Sequence, residues 1–114
     1  VNRRVLYTII EEPDVSATLA KEIQADSRVD DVFEALTWRL ARQPEGPDSV
    51  VVEHEGVEYR LVVTRPNKDA QNPIILAKYR VFADSEEVVV DWIKVYPYDE
   101  SLAYKAKEFG PTKQ

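Results

Sequence analysis

Residues 33–63 run Phe33-Glu34-Ala35-Leu36-Thr37-Trp38-Arg39-Leu40-Ala41-Arg42-Gln43-Pro44-Glu45-Gly46-Pro47-Asp48-Ser49-Val50-Val51-Val52-Glu53-His54-Glu55-Gly56-Val57-Glu58-Tyr59-Arg60-Leu61-Val62-Val63. Across them the apolar spacing changes from a period of about 3.6 to a period of about 2. Before the Pro44-Glu45-Gly46-Pro47 stop, Phe33, Leu36 and Leu40 share one helical face. After it, Val57, Tyr59, Leu61 and Val63 alternate with Glu58 and Arg60, and Gly56 supplies the turn, which predicts an antiparallel hairpin of 49–53 and 57–65.

Towards the N-terminus, the helical stripe extends back through Val32 and Val29 to Ser27-Arg28-Val29-Asp30, a capping-box pattern with Asp in place of Glu. Asp30, Asp31 and Glu34 open this helix and Arg39 and Arg42 close it, the order that suits the helix dipole. That role accounts for the acidic cluster without catalysis or metal. A shorter helix is predicted upstream, capped by Asp14 or Ser16, with Val15, Leu19 and Ile23 on one face and an end near Asp26. Before it, Val5-Leu6-Tyr7-Thr8-Ile9-Ile10 has strand composition and Pro13 is expected to end it.

Towards the C-terminus, the polar stretch Pro66 to Pro73 is a loop, and 74–83 and 87–96 are two more strands joined through Asp84-Ser85-Glu86. Ile75, Ala77, Tyr79 and Val81 form one face of the first, while Leu76 and Phe82 flank Lys78 and Arg80 on the other, as in a central strand. Residues 97–114 offer one turn or a short helix through Ala103 to Phe109 before Gly110-Pro111. The order predicts a single α+β domain over 1–114, an antiparallel sheet with two N-terminal helices packed on one face.

Composition removes whole classes of function. With 114 residues, no cysteine and one histidine, thiol chemistry, iron–sulfur clusters and structural zinc are excluded, so metal could bind only through carboxylates and none is expected. Nothing resembles a nucleotide fingerprint or a Ser/His/Asp order, and no cofactor is expected. His54, beside the turn glycine, reads as an exposed turn residue. No apolar run approaches the ~18 residues of a membrane span, and no signal-peptide core precedes Glu11-Glu12, so a cytoplasmic location without membrane contact is expected. The net charge of −6 belongs to residues 1–56, with six basic and twelve acidic side chains; residues 57–114 hold nine of each. An anion-binding surface is therefore expected in the second half.

Three stretches then carry a resemblance: Phe33 to Pro44; Tyr59-Arg60-Leu61-Val62-Val63; and Lys78-Tyr79-Arg80-Val81-Phe82 followed by Glu87-Val88-Val89-Val90-Asp91-Trp92-Ile93-Lys94-Val95. In order and spacing the chain resembles the RelE/ParE superfamily of toxins from bacterial toxin–antitoxin modules, over about residues 4–104. The resemblance implies one of two activities: mRNA cleavage in the ribosomal A site by a basic cluster and a tyrosine, or poisoning of DNA gyrase by binding. Either implies neutralisation by a cognate antitoxin.

Carried over by position, the resemblance implies catalytic roles for Arg60, Arg80 and Tyr104 if the protein is a ribonuclease, with help from Lys78. Val62 stands where a second strand lysine is expected, and Tyr98 where a late arginine is expected. Phosphate chemistry without histidine needs several converging cations. Their depletion, with the long 66–73 loop and the acidity, favours the gyrase-like binder; the ribosome-dependent endonuclease and a non-toxic interaction module that keeps the fold are the alternatives. Trp38 lies about 140° from Phe33, off the apolar stripe; it is either covered by the C-terminal segment or, with Lys78 and Tyr98, a candidate partner contact. Arg60, Lys78 and Arg80 fall at even positions of neighbouring strands, which would place them on one face; a solvated sheet face with ordinary cross-strand partners such as Glu58 is the more common account of such a set.

Overall fold

The computed structural model describes residues 5–99 and 101, so the expectations for Tyr104 and for the helix through Phe109 lie outside the described residues. Among the described residues seven elements follow one another: β1 (Thr8–Glu11), α1 (Pro13–Ala25), α2 (Arg28–Arg42), β2 (Val50–His54), β3 (Val57–Val63), β4 (Ile74–Phe82) and β5 (Glu87–Tyr96). They form one five-stranded sheet in the order β1-β5-β4-β3-β2. β4 is the central strand. The class is α+β, and both helices cover the same sheet face: Val15 and Leu19 of α1 and Val29, Phe33, Leu36 and Leu40 of α2 share a core with Ile75, Ala77, Tyr79, Val88 and Val90.

The sheet is mixed where a wholly antiparallel one was expected. β1 runs parallel to β5, with Ile9 opposite Val88 and Ile10 opposite Val89. The reason is a parity of reversals. β2, β3, β4 and β5 alternate in direction, and the two helices between β1 and β2 bring the chain back at the far edge pointing opposite to β1, so β1 and β5 point the same way. The helical hairpin carries the chain from one sheet edge to the other, and the β2–β5 meander returns it beside β1.

Other boundaries shift for local reasons. β1 begins three residues later than expected because the Tyr7 N–H is taken by the Ala41 carbonyl at the end of α2 (2.8 Å), which leaves Val5 and Leu6 exposed. Pro13 is the first residue of α1, where its missing N–H costs no helical bond. The expected cap at Asp14 or Ser16 is replaced by Glu12, whose carbonyl accepts the Val15 and Ser16 N–H groups. Ser27 is already helical and makes no cap bond. Asp26 caps α2 instead: its carboxylate accepts the Arg28 N–H at 3.0 Å and grips the same side chain at 2.9 Å. The Arg28 guanidinium holds the Asp26 carboxyl below its usual range by hydrogen bonding.

The turn after β2 is Glu55-Gly56, both at positive φ, the mirror-image turn that matches strand twist. In β5 the apolar positions change parity, from Val88 and Val90 to Ile93 and Val95. The register explains it: Tyr79 pairs with Val90 and Lys78 with Trp92, so Asp91 is an extra residue, a bulge.

Candidate functional site

Cross-strand partners share a sheet face, so the register places each candidate cation. Lys78 is opposite Leu61 and Trp92, and Arg80 is opposite Val89; all lie on the face away from the helices. Arg60 is opposite Tyr79, which is fully buried beneath the helices. Arg60 therefore points to the helix side, and the expected single-face set of Arg60, Lys78 and Arg80 does not form. The even-number argument fails because β3 and β4 pair an even residue with an odd one.

The two arginines also differ in chemistry. Arg80 makes a bidentate pair with the bulge residue Asp91, at 2.9 and 2.7 Å, partly buried, and this carboxylate strengthens the guanidinium's hold on its proton. Arg60 donates to the Ser49 hydroxyl at 2.7 Å and borders a polar hollow of about 280 Å³ with Glu45 and Glu58. Behind it, the Tyr79 hydroxyl donates to the Pro44 carbonyl at 2.6 Å. The open face mixes cations with rings: the Lys78 ammonium sits 4.7 Å from the Tyr59 ring centre, Arg80 5.3 Å from Phe82, and Lys94 5.3 Å from Tyr96. Trp92 is exposed on the same face. Tyr98 lies half-buried just past β5.

The second region was legible only through Trp38. On α2 it is 61% exposed, with the Arg42 guanidinium 3.8 Å above its ring. Beside it runs a groove of about 420 Å³, within the range of ligand sites, between α2 and the chain from Thr64 to Pro73. Val32, Leu36 and Pro73 supply apolar lining; Asp31, Arg39 and Arg65 supply charge.

The groove is pinned at both ends. At the start of α2, Arg28 Nη1 donates to the Ala70 and Gln71 carbonyls at 3.3 and 3.2 Å. Towards its end, Asp48 accepts from Arg65 at 2.9 Å and from Arg39 at 3.5 Å. The loop has its own order, since the Asn67 side chain accepts the Asp69 and Ala70 N–H groups at 3.0 Å. Arg39 Nη2 is buried with no acceptor among the described residues. Arg28, Asp48 and Arg65 carried no sequence signal as groove residues, because their partners are brought to them only by folding; for Asp91, the parity break in β5 was the visible sign.

No group of three or more His, Asp or Glu side chains that could hold a metal occurs among the described residues. None of the described helices is long and apolar enough to cross a membrane. The chain gives no significant match to a protein-family model, a curated protein or a solved structure.

Proposed function

We propose that the protein acts by binding rather than by cleaving RNA: a bacterial, cytoplasmic toxin-fold protein that docks on a gyrase-like protein target and is neutralised by a cognate antitoxin. One observation carries the preference for binding. Arg60 and Arg80 stand on opposite faces of the sheet, and Arg80 is already matched by Asp91. Two cations placed this way do not converge on one scissile phosphate, which is what transition-state stabilisation of phosphate chemistry needs. The toxin–antitoxin setting itself comes from the sequence resemblance.

A second reading is favoured by the open face, where Lys78, Arg80 and Lys94 accompany Tyr59, Phe82, Trp92 and Tyr96. Rings and cations together suit single-stranded RNA, so a ribosome-dependent endonuclease is the alternative. Expression from a tightly repressed promoter, with RNA cleavage assayed in a ribosome-containing extract, separates the two. Binding predicts growth arrest without cleavage, and arrest that survives Arg60→Ala. Cleavage abolished by the paired change Arg80→Ala/Asp91→Ala, which strands no half-buried carboxylate, would overturn it. A folded chain that leaves growth unaffected would place it with non-toxic interaction modules.

A further inference from the structure

We propose that the groove beside α2 binds an acidic segment of a partner polypeptide, seating an apolar side chain on Trp38 and carboxylates among the arginines at that end. This rests on the binding reading above and adds to it a place and a chemistry. The apolar part of the argument is exposure with backing. Trp38 is 61% exposed although an α2 packed on the sheet needs no ring there, and Arg42 fixes the ring from one side. Large aromatic side chains held rigid at a groove edge are the usual anchors of protein recognition.

The polar part is a charge imbalance. Arg39, Arg42 and Arg65 gather around the Trp38 end, and the carboxylate there is Asp48, shared between Arg39 and Arg65. Arg42 donates to the Trp38 carbonyl and has no carboxylate partner among the described residues. Among the described residues three guanidiniums thus face one ion-paired carboxylate and the fractional negative charge of the helix end, which leaves net positive charge. The imbalance stands out in a chain of net charge −6. Asp31, at the far end of the groove, and Glu34, one turn before Trp38, reverse the sign along the helix, so the partner's acidic residues are directed to the Trp38 end. The pinned ends give the site a fixed shape before anything binds, which lowers the ordering cost of association.

The test uses the whole chain and two short fluorescein-labelled peptides with the same leucine-containing core, one flanked by glutamates and the other by lysines, read by fluorescence anisotropy. The glutamate peptide is expected to bind saturably and at least about tenfold more tightly than the lysine peptide, and to weaken as salt is raised. Trp38→Ala and the surface pair Arg42→Glu/Arg65→Glu should each weaken it about tenfold. Failure of the glutamate peptide to bind, equal binding of both peptides, or indifference to both variants would overturn the groove. The two readings fail separately. Arrest without cleavage, together with no peptide binding, removes the groove alone; cleavage with intact peptide binding removes the proposed function and leaves the groove.

Discussion

Tyr79 shows what one buried polar atom does in this core. Its ring is fully buried, and its hydroxyl meets the Pro44 carbonyl where the chain leaves α2. Burial raises the phenol's pKa above the ordinary tyrosine value, while the Ser49 hydroxyl and the Arg60 and Arg39 charges act the other way. The folded protein therefore keeps this proton at pH values where the unfolded chain releases it. Its contribution to stability is complete below about pH 10 and declines as the pH rises beyond that. Tyr79→Phe should cost about 1–2 kcal/mol near neutrality, from the orphaned carbonyl. Denaturant titrations near neutrality and above pH 10 check this: the gap between wild type and variant should narrow at the higher pH. A constant gap would mean that the hydroxyl is not held as described. Both Tyr79 and Arg80 were visible in the sequence as neighbours on a strand. That one is buried and the other ion-paired follows from which face the helices cover.

At the scale of elements, the β2–β3 hairpin is set by its turn. Gly56 has φ +79°, and no atom outside its neighbours approaches within 4 Å of where a Cβ would stand, so a side chain there meets only backbone strain. Gly56→Ala should lower stability by about 1 kcal/mol, measured as a reduced urea midpoint at unchanged slope. An unchanged midpoint would show that the turn tolerates an L-residue. The hairpin and its glycine were legible because turn chemistry is local. The bulge at Asp91 was half-legible, since the apolar positions change parity there, but only pairing with β4 shows which residue is extra. The cap of α1 lies two residues before Asp14 and four before Ser16, whereas Ser27 does hold the N-cap position of α2 but leaves the cap bond to the Asp26 carboxylate. Asp and Ser both suit such positions, and local preference alone places a helix end only to within one or two residues.

On the scale of the whole molecule, helices and sheet share one core cluster, so they should unfold together. The two tryptophans make this measurable, since Trp38 reports from the helical layer and Trp92 from β5. Thermal melts followed by far-ultraviolet circular dichroism and by tryptophan fluorescence should coincide. Leu36→Ala, at a side chain 2% exposed, should shift both by an equal amount, about 2–4 kcal/mol. Separate transitions would show that the layers are independent. By itself the sequence determined the α+β class, the order of the described elements, the buried stripes of both helices, the central place of β4 and the displacement of Trp38 from the core. Those properties depend on periodicity and turn chemistry, which act over a few residues. Tertiary structure alone decided the parallel β1–β5 edge, the division of Arg60 from Lys78 and Arg80, and the groove closed by Arg28 and Asp48. Each depends on which distant strand or loop meets which, and a shift of one residue in register sends a side chain to the opposite face.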